Sequence, residues 1–376
     1  MKAEATIGRL TEDPHPVLAR LRSDTPVAWV PALNGWLVTA YEPATQVMRD
    51  PAVFTVDDPR FSTARVVGPS MLSLDGKEHA RHRIPFAASF RPAAVRSRFA
   101  GPVSAAAKRL VDAVRGDGEA ELRRTVAGPL AVTVVAEIIG LAEVDTATVL
   151  DWYSAIVDAV QGVTAGKDVS PAGHNAFELL SASVRASIAA ERESLLRDAA
   201  SGLGVSEVVS NAAVMMFGGI ETTEGMITNA AWHLLSHPDQ WAALDDSLVA
   251  NAVEESLRLE PAAAVVDRYA TQDVSLAGAE IKQGDLVTVS IAGANRDPAV
   301  FPDPDTFDVR RSNARQHLAF AQGPHACLAA DLARLETRTV LTELRSLPGL
   351  TLAAPASPTG LVFRKPQALR LRWERV

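Results

Sequence analysis

The sequence predicts a mainly α-helical protein with a few small β-sheets, and two observations support this. From about residue 79 to 260, apolar residues recur at helical spacing in long stretches rich in Ala, Leu and Val. At about 264–290 and 368–373, short runs have the composition of strands. The 376 residues are 47% hydrophobic, enough for a large core, and no Ser/Gly-rich or Pro-rich linker divides them. We therefore expect a single domain covering residues 1–376.

The N-terminal part is predicted to combine short helices with a pair of strands. Residues 15–22 and 42–50 have helical patterns. Residues 27–30 and 36–39 have the composition of strands and are separated by an Asn-Gly turn, which favours a hairpin. Residues 51–73 contain three prolines, so we expect this stretch to be irregular.

The one cysteine, Cys327, lies where a loop is predicted to become a helix. An aromatic residue, a glycine and a histidine precede it, whereas Leu328, Leu332 and Leu335 recur after it at helical spacing. The first N–H groups of such a helix favour a thiolate over a thiol. A thiolate held at such a junction is able to be an axial ligand of haem iron. Without these surroundings, a lone cysteine is more often a buried structural residue.

The segment around the cysteine resembles the haem-binding signature of the cytochrome P450 family. Phe320, Gly323, His325 and Cys327 are in register with that signature, whereas Ala329 stands where the family has a glycine. The resemblance implies the cytochrome P450 fold, with haem b between a long distal helix and the loop that carries the cysteine ligand. Cys327 is then the iron ligand, and Phe320 and His325 are cofactor-binding residues.

A second motif pairs Glu255 with Arg258 on one face of a predicted helix. Alone, such a pair is usually solvated. In the resembled family the pair is buried and is completed by an arginine before the cysteine, for which Arg310 and Arg311 are candidates and Arg311 is preferred. A buried pair is costly unless hydrogen bonds satisfy it, so its implied role is to fix the fold around the haem.

A third motif lies within the apolar run 208–235. Gly218 and Gly219 loosen a helix and permit a kink, and Thr222 is then able to hydrogen-bond into the widened turn beside Glu221. The resemblance implies that this is the distal helix and that Glu221 and Thr222 are catalytic, organising water and delivering protons to oxygen. The alternative is a buried helix that tolerates a glycine pair and carries a solvated Glu-Thr-Thr.

A basic segment is the fourth motif. His79 and Arg83 are four residues apart and so share a helix face. Cationic donors hold carboxylates well. The resemblance implies that these two residues bind the haem propionates together with Arg268 and His325. The alternative is an ordinary exposed basic turn.

The same resemblance places the substrate contacts in short apolar stretches. The expected pocket residues are Met215, Gly218, Gly219, Ala263, Val265, Val266 and Val362. Because these side chains are apolar or small, we expect a small or medium, largely apolar substrate, an intermediate of secondary metabolism. The implied reaction is insertion of one oxygen atom from O2 by a haem-thiolate monooxygenase.

Electrons for this reaction are expected from outside the chain, because no Gly-x-Gly-x-x-Gly loop of a flavin or nicotinamide domain is visible. NAD(P)H is expected to supply them through a reductase and a ferredoxin-type partner bound on the Cys327 side. A single cysteine fits a reducing compartment, and we see no signal peptide or membrane span. The net charge of −8 argues against nucleic-acid binding. We therefore expect a cytoplasmic protein without membrane or nucleic-acid partners.

Two alternatives stay open. The same fold also performs oxidative coupling, desaturation or peroxide-driven chemistry, and Glu221 with Thr222 argues only against the peroxide-driven version, whose members commonly lack this pair. The second alternative is a non-catalytic haem protein that senses or stores a ligand. The absence of a recognisable DNA-binding or signalling segment weakens that reading.

Overall fold

The structure, a computed structural model, describes residues 5–141, 144–164, 166–190 and 195–375. Within these residues the protein is rich in helix, with short strands, as the sequence predicts. The helices are α1 Ile7–Glu12, α2 His15–Asp24, α3 Tyr41–Arg49, α4 Ser62–Val67, α5 Gly76–Ala87, α6 Pro92–Arg115, α7 Gly128–Ile138, α8 Thr146–Thr164, α9 Pro171–Ala189, α10 Leu195–Ala200, α11 Val205–Ser236, α12 Pro238–Ala242, α13 Asp246–Leu259, α14 Ile291–Ala294 and α15 Ala330–Leu344.

The strands are short, and most follow the regions where strand patterns were found. They are β1 Val27–Val30, β2 Gly35–Val38, β3 Phe54–Thr55, β4 Glu119–Glu121, β5 Val265–Ala270, β6 Val274–Leu276, β7 Ala279–Ile281, β8 Leu286–Ser290, β9 Thr351–Leu352, β10 Pro358–Thr359, β11 Lys365–Pro366 and β12 Arg370–Arg372.

Contacts divide the chain into two compact units. Unit 1 draws on Met1–Thr55, Ala107–Ala127 and Thr222–Val376, and unit 2 on Val56–Ala106 and Gly128–Glu221. Unit 1 contains the described strands, together with α13 and α15. Unit 2 contains α4, α5 and α7 to α10, whereas α6 and α11 contribute to both units. The expectation of one domain over residues 1–376 stays a prediction.

The largest sheet of unit 1 has the strand order β1-β2-β8-β5-β3. β1 and β2 form the expected antiparallel hairpin, and Asn34 adopts the left-handed conformation (φ 48°) that the turn requires. β8 lies between β2, which is parallel to it, and β5, which is antiparallel. Val287 and Val289 of β8 are fully buried, so this strand anchors β5 to the core.

The expectation that residues 51–73 are irregular is wrong for α4. The prolines of this stretch stand outside the helix, which leaves room for one and a half turns. Thr63, Val66 and Val67 are buried and give α4 an inward face. Gly68 ends the helix with φ 81° and ψ 175°, a positive-φ conformation that glycine adopts without steric cost. In the part of the chain that the structure describes, no helix combines the length and apolar character needed to cross a membrane.

A buried acid lies on the inward face of α15. Glu336 is 3% exposed, and its Oε2 atom has no hydrogen-bond partner among the described residues. Burial raises the pKa of Glu336 well above its ordinary value, because an isolated carboxylate is poorly solvated in the protein interior. The folded protein therefore keeps a proton on this carboxyl at pH values where the unfolded chain releases it.

Glu336→Gln should increase the melting temperature, and the gain should grow as the pH rises from 5 to 8. A raised folded pKa makes wild-type stability fall with rising pH above the ordinary value of about 4.5, whereas glutamine does not titrate. Thermal unfolding across this range measures the effect, with the half-exposed Glu343→Gln on the same helix as control. A gain that is constant with pH would show that burial does not hold the proton on Glu336.

Candidate functional site

The backbone fixes the loop that carries Cys327. The Cys327 N–H donates to the Phe320 carbonyl at 2.8 Å, which closes the loop upon itself. Gly323 has φ 73°, and a Cβ there would lie 2.5 Å from the Met48 carbonyl oxygen on α3. Only glycine permits this approach. The loop therefore holds an exposed thiol on a backbone that is tied to α3.

Cys327 lies just before the N-terminus of α15. Ala329 occupies the N-cap position and provides no side-chain cap, and Asp331 lies in the first turn of the helix. The φ of −96° at Ala329 is ordinary for any residue, so the alanine that replaces the family's glycine brings no backbone strain.

The residues around the thiol fit a haem iron. Among the described residues, no group of three or more His, Cys, Asp or Glu side chains could hold a metal ion. An exposed thiol just before the N-terminus of α15 would supply the single anionic ligand that a haem iron needs.

Glu255, Arg258 and Arg311 form one buried ion-pair network. The Glu255 and Arg258 side chains are both 0% exposed, and Nε and Nη2 of Arg258 donate to the two carboxylate oxygens at 2.8 Å. Arg311 Nε donates to Oε1 of Glu255 at 2.9 Å, whereas Arg310 is exposed. The Nη1 and Nη2 atoms of Arg258 and Arg311 also donate to backbone carbonyls of the loop before the cysteine: Asn295, Pro302, Asp303, Pro304 and Thr306.

α11 is helical from Val205 to Ser236, across the glycine pair, and the widened turn expected there stays a prediction. A Cβ at Gly219 would lie 2.5 Å from Val135 Cγ2 on α7, so this glycine lets two helices of unit 2 pack closely. Gly218 instead faces open space. Met215, Gly218 and Thr222 are partly exposed on an otherwise largely buried helix and recur at i, i+3 and i+7, which places them on one face.

Glu221 is bound by a residue that the sequence did not indicate. The Tyr153 hydroxyl of α8 donates a hydrogen bond to Glu221 Oε2, and both residues belong to unit 2. Tyr153 is buried between apolar neighbours, and such a pattern indicates an ordinary core position. The tyrosine orients the Glu221 carboxylate. Local sequence patterns do not predict this contact, because the two residues are 68 positions apart.

The expected propionate ligands fall in both units. His79 is buried on α5 of unit 2, and Arg83 is half-buried one turn later. Arg268 is buried on β5 of unit 1, where its Nη1 donates to the Asp267 carbonyl at 2.7 Å. His325 is partly exposed at the end of the 3₁₀ turn before Cys327. Their common role in binding haem stays a prediction.

Four of the expected substrate residues lie together in unit 1. Val265 and Val266 are partly exposed on β5, and Ala263 just before them forms a bridge with Phe363. The Val362 carbonyl accepts the Ala264 N–H at 2.8 Å, which ties the two segments together. Val362 is 39% exposed. Because successive side chains of a strand point to opposite faces, Val266 lies on the other face of β5 from Val265, where it packs against the core of the largest sheet. Met215 belongs to unit 2.

Glu255→Ala and Arg258→Ala should each lower the free energy of unfolding by roughly 3–5 kcal/mol, because each leaves a buried charge without its partner. Lys108→Ala is the matched control, since Lys108 and Asp112 form an exposed pair at 2.6 Å whose loss should change stability little. Denaturant unfolding and soluble yield measure both effects. Equal stability of the Glu255 and Lys108 variants would contradict the buried network.

Known proteins resemble this chain in sequence and structure. A family model described as Cytochrome P450 matches residues 247–345, which hold the ion-pair network and Cys327. Cytochrome P450 monooxygenase PikC of Streptomyces venezuelae is 37% identical over 96% of this chain and 92% of its own. CYP109Q5 of Chondromyces apiculatus superposes with a TM-score of 0.90 at 28% identity over 100% of both chains.

A further solved structure shows the range of chemistry in similar proteins. CxnD, described as a cytochrome P450 enzyme for C–S bond formation in chuangxinmycin biosynthesis, has a TM-score of 0.89 and 28% identity, covering 100% of this chain and 99% of its own. The loop that carries Cys327, the buried network and this agreement over nearly the whole length lead to one assignment. The chain belongs to the cytochrome P450 family of haem-dependent, O2-using oxidoreductases and is a monooxygenase of that family.

Proposed function

We propose that this protein inserts one oxygen atom from O2 into a small or medium, largely apolar substrate of secondary metabolism, with Cys327 as the iron ligand. The observation that carries the proposal is the exposed thiol on a loop held by its own backbone and by α3. When bound, haem supplies oxygen activation and O–O cleavage, which a thiolate ligand favours. The protein supplies orientation and protons.

Haem retention is assigned to the cationic side chains and to the ligand loop. Arg268 and His325 of unit 1, with His79 and Arg83 of unit 2, would donate to the two propionates, because charge-assisted hydrogen bonds hold carboxylates strongly. Phe320 would support the loop, since its carbonyl accepts the N–H of the ligand residue.

Proton delivery is assigned to Glu221 and Thr222. Both side chains are partly exposed on α11, so water is able to reach them. The Thr222 hydroxyl both donates and accepts, and therefore suits the holding of a water molecule. The Glu221 carboxylate, oriented by Tyr153, would pass protons to that water.

The apolar character of the substrate rests on Ala263, Val265 and Val362, which are apolar, at least partly exposed, and carried by two segments joined through their backbones. An apolar molecule gains roughly 25 cal/mol for each Å² of apolar surface that it buries. Met215 and Gly218 are proposed to contribute from α11.

A ferredoxin-type partner, reduced by NAD(P)H through a reductase, is proposed to supply the electrons. Two exposed arginines support this: Arg310 and Arg315, the latter with 72% of its side chain exposed, lie in the segment that leads to Cys327. Positive side chains at a docking surface speed the encounter with an acidic partner.

Oxidative coupling or desaturation is the second candidate, favoured by the similarity to CxnD and compatible with the same residues. Mass spectrometry of the product formed under isotopically labelled O2 distinguishes the two. Monooxygenation adds one labelled oxygen atom, whereas coupling and desaturation remove hydrogen and add no label.

Cys327→Ser should abolish the thiolate-type absorption of the reduced carbon monoxide complex, because Cys327 is the only thiol in the sequence. Serine differs by one atom, so the circular dichroism of the variant should match that of the wild type. A serine variant that keeps the thiolate-type spectrum, or a wild type that binds no haem, would overturn the assignment of the ligand.

Thr222→Ala should leave NADPH oxidation running while product per NADPH falls and hydrogen peroxide rises, because the hydroxyl that holds water is lost. The measurement is the ratio of product to NADPH with a surrogate ferredoxin and reductase. Thr223→Ala is the control, since Thr223 is a buried neighbour on the same helix. An unchanged ratio in the Thr222 variant would remove this residue from proton delivery.

A further inference from the structure

Two adjacent buried glutamates of α13 bind different cations. Glu255 belongs to the network with Arg258 and Arg311. Glu254, which is 1% exposed, faces α15 and the ligand loop instead. Arg334 Nε donates to its Oε1 at 2.7 Å, and Nη2 donates to Oε2 at 3.0 Å.

His317 is the second buried partner of Glu254, with its Nε2 atom 3.0 Å from Oε2. The Ala319 N–H donates to Nδ1 of the same ring at 3.1 Å, so Nδ1 carries no proton. Nε2 must then carry the proton and donate it to Glu254. Arg334 is the guanidinium closest to the carboxylate, with Nε 2.7 Å from Oε1.

The two partners of Glu254 contact the same aromatic ring. The Arg334 guanidinium carbon lies 4.4 Å from the centroid of Phe320, a cation–π contact. The His317 ring centroid lies 5.8 Å from the same centroid at an angle of 48°. The Phe320 carbonyl in turn accepts the Cys327 N–H at 2.8 Å. A chain of contacts thus runs from Glu254 to the backbone of the cysteine.

The geometry also joins both ends of the ligand loop to one helix. His317 precedes Cys327, and Arg334 follows it on α15, yet both bind the same carboxylate of α13. Burial opposes ionisation of Glu254, but the hydrogen bonds from His317 and Arg334 lower its pKa to about 2. The carboxylate therefore stays charged and keeps both partners at any pH near neutrality.

We propose that Glu254 is a positioning residue for Cys327: through Arg334 and His317 it clamps Phe320 and thereby fixes the ligand loop. The inference rests on the proposed role of Cys327 as the iron ligand. It assigns to Glu254 a task separate from that of Glu255, whose partners hold the preceding loop.

Glu254→Gln tests the clamp in the haem-loaded protein, because glutamine keeps the shape of the side chain but removes the charge that holds Arg334. We expect amide hydrogen exchange of residues 318–329 to speed up at least ~tenfold, the order expected when hydrogen bonds to a charged group are weakened. The thiolate-type carbon monoxide spectrum should convert to the thiol type at least ~tenfold faster. A merely structural role would raise exchange over the whole of unit 1 without favouring this segment.

Asp331→Asn is the matched control. Asp331 is the more exposed carboxylate near Arg334, with Oδ1 3.7 Å from Nη1. The substitution therefore removes a carboxylate charge near Arg334 and leaves Glu254, His317 and Phe320 unchanged. It should leave exchange and spectral lifetime within twofold of the wild type. The Glu254→Gln/Arg334→Gln double variant should have the same exchange rate at residues 318–329 and the same spectral lifetime as Arg334→Gln alone, because both changes break the same chain of contacts.

If Glu254→Gln does not fold, Arg334→Lys takes its place, because lysine keeps the charge but loses the paired hydrogen bonds and the planar contact with Phe320. The clamp would be overturned if either variant kept its amide exchange and spectral lifetime within twofold of the wild type. It would also be overturned if Asp331→Asn changed both quantities as much as these variants do. These outcomes are separate from failure of the proposed function, because a wild type without a thiolate-type spectrum would refute the cysteine ligand itself.

Discussion

The structure around the cysteine depends on the buried carboxylate of Glu255. Residues 295–313, which lead toward Cys327, form neither helix nor strand, so their backbone carbonyls need partners from elsewhere. Arg258 and Arg311 supply those partners, and Glu255 holds both guanidinium groups in place. A buried ion pair seldom adds much net stability. Its contribution here is to impose one conformation on a long irregular segment.

α13 holds two such buried carboxylates, Glu255 and Glu254, which face different parts of the structure. Successive residues of an α-helix point about 100° apart. Glu255 therefore faces the loop at 302–311, while Glu254 faces α15 and the segment at 317–320. α13 thus acts as a common support for the two segments that precede the cysteine and for the helix that follows it. Residues that are fixed by several hydrogen bonds from their surroundings keep a binding atom close to one position.

Local patterns predicted part of this arrangement. They predicted the β1–β2 hairpin and placed α2 and α3 within two residues, and the resemblance named the members of the Glu255 network, which the structure brings together. They missed Glu254 and Tyr153, because the partners lie 80 and 68 residues away in sequence. A glutamate beside another glutamate is usually part of a solvated face. The available signal was Leu257, three residues after Glu254 and on the same side of the helix.

Glu254 and Glu255 differ from Glu221 in the side chains that bind them. The first two are proposed to hold the fold, and Glu221 is proposed to transfer protons. Guanidinium groups only donate, so Arg334 holds Glu254, and Arg258 and Arg311 hold Glu255, without exchanging a proton with these carboxylates. Glu336, on α15 but without a cation, is kept neutral instead. Glu221 accepts from the Tyr153 hydroxyl, a group that is able both to donate and to accept. A hydroxyl is able to hydrogen-bond a carboxyl in either of its forms, as donor to a carboxylate and as acceptor from a carboxylic acid, which suits the proposed relay through Glu221 and Thr222.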